Sequence, residues 1–559
     1  MKKTPLWIAI NSLLAVSAPQ TVLAEATKLD TIPVSSTEIK KAAQSETYDE
    51  SSLGNTGNSE TGSVLRQING VDASRMGGHG LDTVIRGQSQ SQLNILLDGA
   101  KIEGGCPNRM DPPTSYAETG SYDKVTVIKG VNSVEYGAGG SGGTVLFERE
   151  TPKYDPAKPV SGKLSVLKSN IMNYDANAEV QAVGEKGYVV LQGSQKEANN
   201  YKDGNGDTVP SSYTTQQGHI DLGWTPNEHH ELKFSYEKSY TTDALYSGAQ
   251  MDSPKSDGNI YRLKYRGKDL SSGQTDGQLD GIAVDLYQSS VDHVMNNYEL
   301  RPFTATMKME TLSDTKAKGA KIKLTNLIGN TKLDYGFQLQ SVIKNATAYN
   351  RGNDLSAWLM WPDVHTDQNG IFAQANTALS DSQNLIYGVR VDQVTAEAKK
   401  AYDTADWSMM SVQGTKPVNL YSKYTGYSGK TKIEETNWNG LLRYEQTLSK
   451  GMSWFTGVSL TTRTADETER FMAKNDWIGN PDLKPEKHGQ LDIGVAQDVA
   501  KMNWSANVYY DQVKDYILRD YAKNQPSATS LTGTQNIYVN KDATIMGAEF
   551  DMTYHMTHA

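Results

Sequence analysis

From about residue 160 onward, the chain repeats short segments in which apolar and polar residues alternate. Clear examples are 187–194, 230–237, 281–287, 333–339 and 504–510. Alternation with a period of two predicts β-strands that have one apolar and one polar face. Because turn-forming residues separate many such segments, the pattern predicts a barrel with lipid outside and a water-filled lumen. A soluble β-helix or an adhesin stalk would show a similar alternation.

Residues 64–150 have a different pattern, with short apolar runs bounded by Gly, Asp or Asn. A helical spacing at 64–68 precedes the runs, which lie at 83–86, 93–99, 125–130 and 144–147. This mixture predicts a small α+β domain. An N-terminal domain in front of a barrel with an aqueous lumen indicates a plug. The predicted fold is therefore an all-β transmembrane barrel with an N-terminal α+β plug domain inside its lumen.

The first residues predict export. Lys2 and Lys3 precede an apolar run from Leu6 to Val16, and small residues allow cleavage after Ala24. This is the pattern of a secretory signal peptide. A polar leader rich in Ser, Thr and Glu follows, with the composition of a flexible segment. We divide the chain into a signal peptide (1–24), a leader (25–63), a plug (64–155) and a barrel (156–559).

One extended patch stands out in the leader. Pro33 biases the preceding residue toward an extended conformation, so the patch could add as a strand to the sheet edge of a partner. The patch consists of Asp30, Thr31, Ile32, Pro33, Val34 and Ser35.

Composition excludes several classes of function. The mean hydropathy of −0.58 leaves no long apolar run for a membrane helix after the signal peptide. The chain has 30 Tyr and 8 Phe, and Tyr suits the aromatic girdles of membrane barrels. The net charge is −10 without a basic stripe, which argues against nucleic acid as a partner. No Ser/His/Asp arrangement or paired acids indicate an enzyme.

Cys106 is the only cysteine, so the chain has no internal disulfide. A single Cys in an exported protein indicates intermolecular pairing, a reactive thiol or a metal ligand. Pro107 suits the first position of a helical turn, and Pro112 would end that turn. Cys106 and Met110 would then share one face, and the helix N-terminus would lower the pKa of the thiol.

His293 and Met295 stand two residues apart in an alternating segment, so on a strand they point to the same side. Earlier in the segment, the even positions 282, 284 and 286 are apolar and the odd positions are mixed. The even face should meet lipid. If no bulge intervenes, His293 and Met295 therefore point inward, toward the plug.

Several motifs, in the right order, resemble one family across essentially the whole mature chain. Residues 30–35 resemble a TonB box, while IRG at 85–87 and LLDG at 96–99 resemble a plug. IKGVNSVEYGAGGSGGTV at 128–145 is similar to the closing segment of that plug, and GNPDLKPE at 479–486 to a barrel motif. The chain thus resembles the TonB-dependent receptors. This implies a barrel of the 22-stranded type in the lipid of a Gram-negative outer membrane, and import driven by TonB with its inner-membrane energising complex.

Within that family, CPNRM at 106–110 together with a His-x-Met in the barrel resembles the OprC/NosA-type copper receptors. The resemblance implies that copper is bound by Cys106 and Met110 from the plug and by His293 and Met295 from the barrel, and is then imported. A thiolate, two thioethers and an imidazole form a soft donor set that favours Cu(I). Met307 and Met309 are a weaker candidate for a secondary contact.

Two other functions fit the same pattern: a receptor for a siderophore or another metal chelate, and a surface binding protein such as an adhesin or phage receptor. The end of the chain also departs from the family pattern. Complete receptors carry many more strands after the GNPDLKPE motif and end on an aromatic residue, whereas this sequence ends at Ala559. The resemblance therefore predicts a barrel that is incomplete at its C-terminus.

Overall fold

The computed structural model describes residues 45–49, 60–137, 139–271, 277–406, 415–448, 451–499, 501–523, 525, 534–554 and 556. The predicted signal peptide at 1–24 and the predicted TonB box at 30–35 lie outside the described residues.

The N-terminal part of the described chain consists of two small sheets. Its elements are β1 (Ser45–Asp49), α1 (Thr61–Leu65), β2 (Val71–Ser74), β3 (Asp82–Ile85), β4 (Gln88–Ser89), β5 (Leu93–Leu97), β6 (Lys124–Lys129) and β7 (Gly143–Glu148), with 3-10 turns at Gln90–Gln92, Pro113–Tyr116 and Thr119–Ser121. One sheet has the order β1-β6-β7-β5, and the other has the order β2-β3-β4. Among the described strands of these two sheets, only β5 and β7 pair in parallel. Each of the four predicted apolar runs overlaps one of the strands β3, β5, β6 and β7.

The inner faces of these sheets form one apolar core. Ile85 and Leu97 are fully buried in it, as are Val127 and Phe147 from the larger sheet. The predicted helix begins three residues earlier than its apolar spacing suggested, because the Glu60 side chain caps it by accepting the Ser63 N–H at 2.8 Å. This part is the plug.

The rest of the chain forms the barrel. Its strands are β8 (Val160–Leu167), β9 (Met172–Gly184), β10 (Gly187–Ala198), β11 (Tyr201–Lys202), β12 (Thr208–Val209), β13 (Tyr213–Asn227), β14 (His230–Ala244), β15 (Asp252–Gly267), β16 (Leu279–Asn296), β17 (Met309–Ile328), β18 (Thr331–Asn350), β19 (Leu355–Ser380), β20 (Gln383–Ala398), β21 (Lys432–Thr447), β22 (Met452–Arg463), β23 (Ala473–Lys474), β24 (Trp477–Ile478), β25 (Glu486–Val499), β26 (Met502–Tyr521) and β27 (Asn536–Tyr554).

Eighteen of these strands belong to the barrel sheet, while β11 and β12 form a hairpin of their own. Complete barrels of the predicted type have about 22 strands, so the described residues hold fewer. Two of the eighteen, β23 and β24, have only two residues each and lie in a connection. All five alternating segments named above fall inside strands, so the predicted barrel and plug are confirmed.

Side chains along the barrel strands alternate between the lumen and the outside, as the sequence pattern predicts. In β16, positions 289, 291, 293 and 295 are buried, whereas Leu286 is 41 % exposed on the outer face. The pairing of β16 with β17 runs from Gly281 to Asn296 without a bulge. The assumption behind the predicted inward orientation of His293 and Met295 is therefore correct.

The two ends of the barrel differ in the length of their connections. Tight turns join β9 to β10 and β13 to β14, whereas several connections at the other end are long, such as 399–431 between β20 and β21. At this long-loop end, α2 (Pro417–Tyr421) and α3 (Glu467–Phe471) pack with strands β23 and β24 into a large apolar cluster, which we call the loop cluster. Among the described residues, no helix is long and apolar enough to cross a membrane.

The plug is fixed to the barrel wall by buried ion pairs. Arg86 lies 2.7 Å from Asp492 and 2.9 Å from Glu549, and all three side chains are almost fully buried. Lys129, on β6, lies 3.6 Å from the same Glu549 and 2.6 Å from Glu46 of β1. Each of these buried charges of the plug is thus compensated by an opposite charge on the wall, and an unpaired charge at either position would be costly to bury.

Candidate functional site

The CPNRM stretch forms a tight turn on the plug, between β5 and the 3-10 turn at Pro113–Tyr116. The Arg109 N–H donates to the Cys106 carbonyl at 2.9 Å, and Arg109 has a φ of 55°. That hydrogen bond joins residues three apart, so 106–109 form a β-turn. The predicted helical turn is therefore wrong. Pro107 fits a β-turn as well as a helix, because both require the same φ.

The predicted lowering of the thiol pKa is also wrong. Cys106 is 3 % exposed, and burial, together with the negative charge of Asp111, raises its pKa well above the ordinary value. Backbone hydrogen bonds from Met110 and Asn108 and the charge of Arg109 lower the pKa of the thiol, but they offset this rise only in part. A bare thiol at this position would be protonated, so a thiolate needs a bound cation.

Close packing of backbone brings the turn to the barrel wall. A Cβ atom placed on Gly105 would lie 2.5 Å from the His293 Cβ and 3.1 Å from the Val291 Cγ1. Only glycine lets the chain approach β16 so closely. The residue immediately before Cys106 therefore sets its distance from the wall.

His293 and Met295 lie near the C-terminal end of β16, and their side chains point toward this loop. The Cys106 Sγ lies 3.6 Å from the Met295 Sδ. Met110 is 1 % exposed and packs in the same buried apolar cluster as Cys106 and Met295. The two sequence motifs, almost two hundred residues apart in the chain, thus meet in space.

The His293 ring is enclosed without hydrogen bonds. Its side chain is fully buried, and neither ring nitrogen has a hydrogen-bond partner among the described residues. A buried imidazole that makes no hydrogen bond is costly, because its polar nitrogens have lost water without replacement. The Cys106 Sγ, an oxygen of Asp111 and a ring nitrogen of His293 all lie within 4.8 Å of one another. This spacing suits a metal ion.

Asp111 lies at the centre of this arrangement, and sequence reasoning assigned it no role. Its carboxylate oxygens accept the Gly105 and Cys106 N–H groups, each at 2.8 Å. The Tyr116 hydroxyl donates to the same carboxylate at 2.5 Å. The His293 Nδ1 lies 3.4 Å from Asp111 Oδ2. Gly105, Cys106 and Tyr116 lie within six residues of Asp111, whereas the approach to His293 depends on tertiary structure. The only sequence signal was an acid five residues after Cys106.

Three further methionines that sequence reasoning missed pack around the site. Met172 is buried in the same cluster as Cys106, and Met76 and Met251 pack against it half-buried. Each comes from a different segment of the chain, so no spacing in the sequence marked them. Met307 and Met309 are half-buried near the start of β17 and do not belong to this cluster.

A cavity of about 140 Å³ adjoins the turn at the long-loop end. Cys106, Pro107 and Asn108 line it from the plug, and Trp361 and Trp477 line it from the loop cluster. Most of its charged side chains are held in ion pairs. The pairs are Arg109 with Asp82 at 2.6 Å and Lys344 with Glu103 at 2.8 Å. Of the three sulfur residues predicted to bind metal, Cys106 lines this cavity, and Met110 and Met295 do not.

The comparisons with known proteins agree with this architecture. Residues 191–557 match the family model "TonB dependent receptor-like, beta-barrel", and residues 37–144 match the "TonB-dependent Receptor Plug Domain". The chain belongs to the TonB-dependent receptor family. Proteins of this family are outer-membrane receptors of Gram-negative bacteria that transport their ligands, so the prediction that this receptor is not an enzyme is confirmed.

Several solved receptors resemble this one. The copper transporter OprC shares 26 % identity with a TM-score of 0.78, over 92 % of this chain and 78 % of that chain. A double mutant of the hemophore receptor HasR of Serratia marcescens shares 17 % identity with a TM-score of 0.75, over 92 % and 80 %. The siderophore receptor PirA of Acinetobacter baumannii shares 15 % identity with a TM-score of 0.64, over 92 % and 78 %. The last two show the fold alone.

Proposed function

We propose that this receptor binds copper, as Cu(I) in preference, through Cys106, Met110, His293 and Met295 and imports it across the outer membrane. The observation that carries the proposal is the 3.6 Å approach of the Cys106 Sγ to the Met295 Sδ, beside an imidazole whose nitrogens make no hydrogen bond within the described part of the chain. The similarity to the copper transporter OprC supports it.

The chemistry of the donors favours copper over other metals. One thiolate, two thioethers and one imidazole are soft ligands, which select Cu(I) over iron or calcium. Zinc accepts Cys and His but rarely Met. The neighbouring Met76, Met172 and Met251 add further thioether sulfur and no hard oxygen donors.

The site is divided between plug and barrel, which supports a simple route to release. Cys106 and Met110 belong to the plug, while His293 and Met295 belong to β16. Movement of the plug relative to the wall would separate the two pairs and leave each with only two ligands. TonB would engage the predicted box at 30–35. It would transmit to the plug the energy that its inner-membrane complex supplies for that movement.

Copper binding by purified receptor tests the proposal. We expect wild type to bind one Cu(I) per chain in competition with a chromophoric Cu(I) chelator under reducing conditions. Cys106→Ser and His293→Ala should each weaken binding by at least about 100-fold, because each removes a ligand from a buried site. His365→Ala is the matched control, since His365 pairs with Asp363 instead.

A wild-type receptor that takes up no Cu(I) would overturn the proposal, and so would a Cys106→Ser variant that binds copper as tightly as wild type. If the receptor instead takes up a metal chelate, Cys106→Ser should have no effect on binding. A ferric chelate would then bind equally well to wild type and to Cys106→Ser.

A further inference from the structure

We infer that Asp111 is the positioning residue that joins the two halves of the copper site. It holds the turn that carries Cys106, and it orients the imidazole of His293 on the opposite wall. The inference rests on the proposed function, and it assigns a role to a residue outside the four ligands.

The hold on the turn comes from two backbone hydrogen bonds. Asp111 Oδ1 accepts the Cys106 N–H, and Oδ2 accepts the Gly105 N–H, each at 2.8 Å. Hydrogen bonds to a carboxylate are about twice as strong as neutral ones. The carboxylate therefore fixes both the direction of the Cys106 side chain and the glycine that packs on β16.

The same carboxylate faces the histidine. The His293 Nδ1 lies 3.4 Å from Asp111 Oδ2, and both side chains are 1 % exposed or less. A carboxylate beside Nδ1 favours the tautomer with the proton on that nitrogen. The lone pair on Nε2 is then free for a metal, as in the carboxylate–histidine–metal arrangements of other proteins.

Asp111 is a positioning residue and not a fifth ligand, because its oxygens are already occupied. Besides the two N–H groups, the Tyr116 hydroxyl donates to Oδ2 at 2.5 Å. The Ser256 hydroxyl, from β15, lies 2.9 Å from that of Tyr116 and 3.5 Å from Oδ2. Cu(I) also prefers sulfur and imidazole to carboxylate oxygen.

The arrangement therefore involves four elements: the plug turn, the 3-10 turn that carries Tyr116, and the wall strands β15 and β16. Gly258 on β15 makes room for Tyr116, because a Cβ there would lie 2.5 Å from the Tyr116 ring. Asp111 is thus placed from both the plug and the wall.

Asp111→Asn tests the inference, because it keeps the shape of the side chain and removes its charge. We expect the variant to bind one Cu(I) per chain with affinity weakened about 10- to 100-fold, the range seen for partners of metal-bound histidines. X-ray absorption at the copper edge should show the sulfur ligands retained and the imidazole nitrogen weakened or lost.

Asp82→Asn is the matched control. Asp82 is another buried carboxylate that holds the same turn, but it pairs with Arg109 at 2.6 Å rather than with His293. We expect Asp82→Asn to leave the copper–nitrogen signal intact. If it weakens binding and alters that signal as much as Asp111→Asn does, Asp111 only holds the turn and the inference is wrong.

A double-mutant cycle with His293→Ala separates the two roles. Because Asp111 also holds the turn, Asp111→Asn should still cost some affinity once His293 is absent, but clearly less than it costs in wild type. An equal loss in the two backgrounds would contradict a role that acts through His293. Tyr116→Phe provides a milder variant if Asp111→Asn does not assemble. It removes one hydrogen bond to the carboxylate and should weaken copper about 2- to 10-fold, with a smaller loss when His293 is absent.

These outcomes are distinct from failure of the proposed function. If wild type binds no Cu(I), the copper proposal itself fails. If wild type binds Cu(I) and Asp111→Asn binds it equally well, the copper site stands and only the role of Asp111 is overturned.

Discussion

At the scale of single residues, the distance between plug and wall depends on Gly105, which has no Cβ. Gly105 lets the turn lie against His293 and Val291, and the Cys106 sulfur thereby reaches Met295. Any larger residue would push the turn outward or distort β16. The site tolerates little displacement, since sulfur ligands must lie within bonding distance of one ion.

We therefore expect Gly105→Ala to weaken Cu(I) binding by at least about 10-fold, because overpacking of this kind costs about 1–3 kcal/mol. The measurement is the same chelator competition. Gly204→Ala is the control, since a Cβ at Gly204 meets nothing within 4 Å. Unchanged affinity in Gly105→Ala would mean that the turn can move without loss of the site.

The sequence supplied the four sulfur and imidazole side chains but not what surrounds them. Cys106 and His293 were recognisable because their types and spacings match a family pattern. Asp111 was not, since its partners Tyr116 and Ser256 become neighbours only in the folded chain. The three-dimensional environment of the Cys106 thiol likewise reversed the expected direction of its pKa shift.

At the scale of elements, strand parity was predictable and turn type was not. Period two is a property of every unbroken strand, so the alternation before Tyr287 extends correctly to Met295. The turn at 106–109 was ambiguous, because proline at its second position fits a β-turn and a helix equally. The deciding contribution is the Asp111 carboxylate, which accepts the N–H groups at the start of the turn.

Parity can be tested by exchanging two neighbours on β16. In the double variant His293→Val with Val294→His, the composition stays constant while the imidazole moves to the outer face. We expect copper affinity to fall as far as in His293→Ala, with barrel assembly unchanged in heat-modifiability gels. Asp292→Asn, on the exposed face, should bind copper normally. Retention of tight binding by the exchanged pair would show that His293 is not a ligand.

At the scale of the whole molecule, ligand capture and transport are separable. Under the copper proposal, capture needs the plug turn and β16, which meet in the structure. Transport in this family also needs a contact with TonB, for which the leader offers residues 30–35. β1 (Ser45–Asp49) lies within the predicted leader at 25–63 but pairs with β6, so the plug sheet begins before residue 64.

Deletion of residues 30–35 should therefore leave Cu(I) binding by the purified receptor unchanged and abolish receptor-dependent uptake of radiolabelled copper by cells. A deletion of equal length at 36–41, between that segment and β1, is the control and should preserve uptake. Normal uptake without residues 30–35 would contradict TonB-dependent import. A surface binding protein such as an adhesin would retain its function in both deletions.

The position of β1 has a mechanical consequence. β1 forms the end of the plug sheet and pairs only with β6 among the described strands. Tension applied to the chain ahead of Ser45 reaches this strand before any other part of the plug. If β1 detaches, the buried Lys129 loses Glu46 at 2.6 Å and keeps only the more distant Glu549 at 3.6 Å. Detachment of β1 would thus break an ion pair inside the plug and leave Lys129 with its partner on the wall.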